Sequence, residues 1–247
     1  MVKAVLAVAL VACGSPGPPR SQAAAPALEP AKPYRVTLGR EVVSYDGSLD
    51  AAGIAELRRA GPDVKVLRIR CSGGDVDLGM DLAEWVLARG LDVEVDGHCL
   101  SSCANYIFPA GRRKVIAPGG VVGWHGSARQ TDMADQLDAA LVDARQEDPT
   151  LDVEKTRARM AAYMKRAIER QDAFFARIGV AECVTRIGQL RLGAPGLFTM
   201  SIADMARFGI DVASGPTTAA ELPAKLRDQI TFVAVGDLDP ATACDTP

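Results

Sequence analysis

From residue 34 onward the chain alternates between short apolar runs and longer stretches in which apolar residues recur every three or four positions. Residues 34–38 read as an opening strand, and residues 49–60 as a helix ended by Gly61-Pro62. Residues 64–69 are densely apolar (Val64, Val66, Leu67, Ile69), as expected of a strand buried within a parallel sheet. Ser72-Gly73-Gly74-Asp75 breaks that run. Residues 76–89 then place Gly79, Leu82, Ala83, Val86 and Leu87 at helical spacing, and Gly90 stops the helix. A strand over 91–95 leads into a short helix from about Ser102 to Pro109, and strands over 115–116 and 121–124 flank the turn Pro118-Gly119-Gly120. This strand–helix–strand rhythm predicts an α/β domain with parallel pairing.

The second half is more helical. Residues 131–145 form one candidate helix, and residues 153–178 a longer one. The longer helix carries Met160, Tyr163, Met164, Ala167, Ile168, Phe174 and Phe175 on one stripe. Such a stripe is expected to be core or a subunit contact rather than a ligand box. A helix over 201–208 starts with Ser201 as N-cap, has Asp204 in its first turn and ends at Gly209. After Ser214 the chain is rich in Pro and Ala, with one strand expected over 230–235. No internal repeat is present.

The first 33 residues differ in kind. Met1-Val2-Lys3 precedes a short apolar run over residues 4–12, too short to span a bilayer as a helix but of the length of a signal-peptide core. The run ends in Leu10-Val11-Ala12-Cys13, which is similar to the lipobox of bacterial lipoproteins. That resemblance implies cleavage before Cys13 and lipid on its thiol. The alternative is an ordinary secretory signal cut near Ala23-Ala24-Ala25. Residues 13–33, rich in Gly, Pro, Ser and Ala, read as a flexible tether. The expected organisation is therefore signal peptide 1–12, tether 13–33, folded domain 34–214 and C-terminal extension 215–247.

Composition narrows the classes. Apolar residues make up 48% and charged residues 24% of the 247, ordinary for a globular chain. With 28 Lys plus Arg against 31 Asp plus Glu, the net charge is -3, so no clustered positive field suggests a nucleic-acid partner. The densest basic run, Arg112-Arg113-Lys114, reads as solvated surface. Lipidation of Cys13 would leave Cys71, Cys99, Cys103, Cys183 and Cys244, an odd number in a compartment that permits disulfides. A bridge is expected among Cys71, Cys99 and Cys103, with connectivity left open.

Reactive side chains are unevenly placed. Both histidines, His98 and His125, fall close to a Gly-Gly turn, a Ser-Ser pair and two cysteines. Gly73-Gly74 follows a buried strand and opens a helix, where glycine lets amide donors face a bound oxygen. Ser101-Ser102 ends a second strand and opens a second helix, the position that exposes a nucleophile. His98, at a strand end beside Gly97, reads as structural. A zinc site of His98, Cys99, Cys103 and His125 is chemically conceivable, but the cysteines lack a metal-binding spacing, and no metal or cofactor is expected.

These residues carry a resemblance. Cys71-Ser72-Gly73-Gly74-Asp75 with Gly79, followed by 102–111 (SCANYIFPAG), resembles the oxyanion loop and nucleophile helix of the Clp protease family. The segment 121–126 (VVGWHG) is similar to the strand that delivers that family's histidine, and Gly209-Ile210-Asp211 to the closing helix and strand. The paired cysteines of 99–103 look like exported proteins of this fold in particular. The resemblance spans about residues 64–211. It implies a Clp-protease/crotonase-like β/α superhelix with an additional helical segment in the second half.

By the same resemblance, His125 is the general base, and Gly73, Gly74 and the amide after the serine, that of Cys103, form the oxyanion hole. Counting back from Ala110-Gly111 makes Ser102 the nucleophile, whereas counting from Gly97 makes it Ser101; Ser102 is preferred. The sequence departs from the family where the aspartate that orients the histidine should stand, because Leu197-Phe198 occupies that place. The resemblance thus implies a serine hydrolase acting on peptide or protein outside the cytoplasm. It would be lipid-anchored in the cell envelope, at the outer rather than the inner membrane, and compatible with a homo-oligomer. No ATPase partner is expected, since that space lacks ATP. A non-catalytic module for peptide binding or envelope assembly is the rival, favoured by the missing acid. A crotonase-type acyl-CoA enzyme shares the oxyanion logic but fits poorly with export.

Overall fold

In the computed structural model, residues 34–129 and 133–244 are described. The expected signal peptide, tether and lipidated Cys13 lie outside those residues. β1 (Arg35–Leu38) and β2 (Val42–Gly47) form an antiparallel hairpin, and each later strand of the main sheet adds in parallel. In chain order, α1 (Ala51–Leu57) leads to β3 (Val66–Cys71), α2 (Val76–Arg89) to β4 (Asp92–Leu100). A π-helical turn (Cys103–Ile107) and the one-turn α3 (Phe108–Ala110) precede β5 (Lys114–Ile116) and β6 (Val121–Gly123).

The second half begins with α4 (Met133–Glu147) and α5 (Val153–Ile178). Then come α6 (Ile187–Arg191), β7 (Phe198–Met200), α7 (Ile202–Arg207), β8 (Val212–Ser214) and β9 (Thr231–Val233). The architecture is α/β with a predominantly parallel sheet, as the alternation of elements predicts. β2 was not expected from the sequence, yet its alternate residues Val43 and Tyr45 are fully buried.

Among the described residues the main sheet runs β1-β2-β3-β4-β5-β8, with β6 also paired to β4. β4 serves two neighbours in turn. Its first half, Val93 to Val95, pairs with β5, and its last residues, His98 to Leu100, pair with β6. Gly97 (φ +106°) lies between the two halves, a backbone state that a side chain would strain. The end of β4 is thereby steered away from β5 toward β6. A second small sheet, β7 beside β9, joins the first through the antiparallel bridge Trp124–Phe198.

Local chemistry explains the two principal helices. Asp75 caps α2 by accepting from the Leu78 amide, and Gly90 ends it in the left-handed conformation (φ +60°). Asp152 and Gly179 do the same for α5, which buries Ala167, Gln171, Phe174 and Phe175. Phe174 and Phe175 meet Tyr106 of the π-turn at ring separations of 5.9 and 6.1 Å, so the C-terminal part of the α5 stripe packs on that turn.

The segment after Ser214 is built into the body rather than trailing from it. β9 pairs with β7, Val233, Val235 and Ala243 join the main core, and Cys244 is disulfide-bonded to Cys183. Among the described helices, none is long and apolar enough to cross a membrane.

Candidate active site

Strands β3, β4 and β6 all end at one place, and the candidate residues sit on the turns that follow. After β3, Gly73 (φ +89°) and Gly74 (φ +144°) turn the chain into α2. After β4, Ser101 takes φ +55°, the positive-φ non-glycine among the described residues. An L-residue held there costs roughly 1–2 kcal/mol, which is met by the surroundings: the Ser101 amide donates to Gly123 O (3.0 Å), and its carbonyl accepts from Asn105 N (2.8 Å). After β6, Trp124 is fixed to Phe198 by two backbone bonds of 2.8 Å, and His125 follows.

His125 Nε2 lies 2.8 Å from Ser101 Oγ. Both side chains are partly exposed. Ser102 is turned away: it is 3% exposed and donates its hydroxyl to Gly74 O at 2.7 Å. The serine facing the histidine is therefore Ser101, not the preferred Ser102. The amide that follows it is that of Ser102, not Cys103. The π-turn supplies the physical reason. Phe108 N bonds to Cys103 O, five residues back, so Cys103–Ile107 holds one residue more than an α-turn. Counts from the two ends of the segment differ by that one residue.

Glycine is needed where the two turns touch. A Cβ on Gly73 would lie 2.6 Å from Leu100 O, 2.7 Å from Ser101 Cβ and 3.0 Å from Ser102 N. The loop packs directly on the serine turn.

Among the described residues two disulfides are present, Cys99–Cys103 with Cα atoms 5.2 Å apart and Cys183–Cys244 at 5.6 Å, and Cys71 is a free, buried thiol. The first falls within the expected trio and encloses Ser101 and Ser102. The second was not foreseen. Cys99 and Cys103 are bonded to each other, His98 Nε2 meets Ser72 Oγ at 3.1 Å, and His125 meets Ser101, so the conceivable zinc set does not converge. No metal-binding cluster occurs among the described residues.

Neither a family model nor a curated protein matches the chain. Among solved structures, an enoyl-CoA hydratase from Mycobacterium avium subsp. paratuberculosis K-10 is similar at 19% identity and TM-score 0.32, over 67% of this chain and 92% of that one. A protein described as an enoyl-CoA hydratase from Streptomyces coelicolor A3(2) is similar at 19% identity and TM-score 0.25, over 42% and 52%. These likenesses are distant and carry no chemistry to this chain.

The support behind His125 leaves no pattern in the sequence around it. No described side chain offers a carboxylate to its ring, and Leu197 stands beside the Trp124–Phe198 bridge as the sequence indicates. The backbone after His125 is clamped instead. Asn105 Nδ2 donates to Gly126 O (2.9 Å), Gly126 N to Thr185 O (2.8 Å), Ala128 N to Gln171 Oε1 (3.3 Å) and Ser127 Oγ to Glu182. Glu182 also accepts from Thr185 Oγ1 (3.2 Å) and pairs with Arg186 (3.0 Å), with side chains only 13% and 17% exposed. A polar residue on an apolar stripe, Gln171 among the Phe residues of α5, was the one signal for this network in the sequence.

Glu182→Ala should cost about 3 kcal/mol, because Arg186 and Ser127 would lose a half-buried partner. Glu182→Gln, which keeps the hydroxyl contacts, should cost less. Thermal melts of the two variants check the order, and equal losses would contradict it.

Burial holds both His125 and His98 below the ordinary 6.5; for His98 the neighbouring Arg70 adds to the effect. His125 is thus a neutral base at neutral pH, with Nε2 free to accept the Ser101 hydroxyl proton when Nδ1 carries the ring proton. The unfolded chain takes up protons as pH drops below 6.5 before the native histidines do, so stability present above 6.5 is lost as pH falls toward their native values. His125→Gln should flatten that decline between about pH 7 and about pH 5. An unchanged slope would count against a depressed His125.

Proposed function

We propose that the chain is a serine hydrolase that acylates Ser101, with His125 as general base, and that its substrates are peptides or proteins outside the cytoplasm. The observation that carries this reading is the 2.8 Å contact between His125 Nε2 and Ser101 Oγ, made on a serine held at φ +55°. A base within about 2.6–3.2 Å can take the hydroxyl proton as oxygen attacks a carbonyl. The amides of Ser102 and Gly74 would receive the negative charge that develops on the carbonyl oxygen. His125 would then return its proton to the leaving group, and water would release the acyl chain by the reverse steps.

The test is reaction with a fluorophosphonate, followed by mass spectrometry of the labelled peptide. Label on Ser101 that disappears in His125→Gln supports the reading; no label on any serine overturns it. The second Ser–His contact, Ser72 with His98, makes Ser72→Ala a useful control. Label that follows Ser72 would move the chemistry to the wrong pair.

A second reading, a binding module without turnover, is favoured by one observation: no described carboxylate reaches His125. An Asp in that position is worth about 10⁴ in turnover in a triad protease, so a clamped dyad should be slow. Stoichiometric labelling without turnover would favour this reading.

Export and anchoring belong to the same proposal. The lipobox-like segment ending in Cys13 and the two disulfides support an oxidising envelope compartment. Cys13→Ser should release the protein from membranes and leave an unprocessed precursor on a denaturing gel. Unchanged fractionation and processing would exclude the anchor.

A further inference from the structure

Three buried cysteines flank the Ser101 turn on two paired strands, and the hydrolase reading uses none of them. Cys99 closes β4, Cys103 opens the π-turn, and their disulfide forms a ring that contains Leu100, Ser101 and Ser102. Ser101, the strained residue, lies at the middle of that ring. Cys71 is the register partner of Cys99 on the adjacent parallel strand. Neighbouring strands lie about 4.8 Å apart, inside the Cα range of a disulfide. Cys71, Cys99 and Cys103 are all 0% exposed and belong to one core. Cys71 Sγ also accepts the Gly73 amide at 3.3 Å, so this thiol touches the glycine loop as well.

We propose that the Cys99–Cys103 disulfide is the positioning element of the Ser101 turn and that Cys71 is its exchange partner. One bridge would hold Ser101 against His125, and the other would release it. This rests on the Ser101–His125 reading above. In the exchange, the Cys71 thiolate attacks Cys99 Sγ, a Cys71–Cys99 bond forms and the Cys99–Cys103 bond breaks. Cys103 leaves as thiolate and takes up the proton that Cys71 gave, so no external oxidant or reductant is consumed. Two consequences follow together. Ser101 leaves the closed ring and can abandon its left-handed state, and the Cys71 sulfur that accepts the Gly73 amide is drawn toward Cys99. Nucleophile turn and oxyanion loop would relax in one event.

Exchange would be slow at neutral pH. Burial pushes the Cys71 thiol up to about 12, so the attacking thiolate is scarce near neutrality. Its population grows about tenfold per pH unit up to that value.

The test combines bridge mapping with a readout independent of turnover. Protein is held at about pH 7 or about pH 9.5, acid-quenched and alkylated, and its disulfides are mapped by mass spectrometry. Parallel samples are returned to neutral pH for ring NMR of His125, assigned with His98→Gln, and for fluorophosphonate labelling. The expected result is a Cys71–Cys99 peptide with alkylated Cys103, formed about tenfold faster per pH unit. In proportion to it, the His125 ring signal should lose its Ser101 bond and labelling should fall at least about tenfold. Cys71→Ala and the closer-sized Cys71→Ser should both retain the original bridge and signal.

Absence of Cys71–Cys99 in every sample overturns the proposal, as does exchange that leaves the His125 signal unmoved. If His125 follows the bridge while no serine ever labels, the hydrolase reading fails and the positioning role stands.

Discussion

Ser101→Ala is expected to abolish fluorophosphonate labelling and to lower any acyl-transfer turnover about 10³-fold or more, while Ser102→Ala changes turnover by less than about tenfold. The contrast follows from where two adjacent hydroxyls point. Ser101 Oγ meets His125 Nε2 at 2.8 Å, whereas Ser102 Oγ donates to Gly74 O at 2.7 Å. Loss of the Ser102 hydroxyl removes one buried hydrogen bond, a stability cost of about 1 kcal/mol, but leaves its amide in place. Melting temperatures separate folding effects from chemistry. If Ser102→Ala removes the label and Ser101→Ala keeps it, the site is built around the other serine.

Gly73→Ala should be the most damaging single-methyl change in this region. Gly73 holds φ +89°, and the added Cβ would stand 2.6 Å from Leu100 O, a backbone atom that cannot swing aside, and 2.7 Å from Ser101 Cβ. Backbone strain and overlap together should cost about 3 kcal/mol or more. For a domain of this size that is about 10 °C in melting temperature. Gly90→Ala is the comparator, since Gly90 also has positive φ (+60°) but nothing within 4 Å of the added atom. It should lose only about 1 kcal/mol. Gly73→Ala should also lose labelling, because the glycine loop and the Ser101 turn would be pushed apart. Equal melting temperatures for the two variants, with normal labelling in Gly73→Ala, would refute the packing argument.

The candidate site was legible in kind but not in register. The Gly73-Gly74 turn, the serine pair and His125 stand out because each follows an apolar strand. The serine was ambiguous because residues 102–111 are all buried: without a solvent side, hydrophobic periodicity has no phase. A π-turn leaves no mark in such a segment. The clamp behind His125 was also invisible, since Glu182, Thr185, Gln171 and Asn105 come from separate elements that only packing brings together.

By itself, the sequence determined the elements whose ends are written in local chemistry. α2 runs from its Asp75 cap to Gly90 and α5 from Asp152 to Gly179, because caps and left-handed glycines act within one helical turn. It also determined the α/β class, through strands too apolar to be left uncovered. Tertiary structure decided what depends on distant partners. It split β4 between β5 and β6, drew the Pro- and Ala-rich tail into the core through β9 and the Cys183–Cys244 bond, and chose Ser101 over Ser102. The physical reason is range: a cap is satisfied within a few residues, whereas a sheet neighbour, a disulfide or a base for a serine is found only once the chain has folded back on itself.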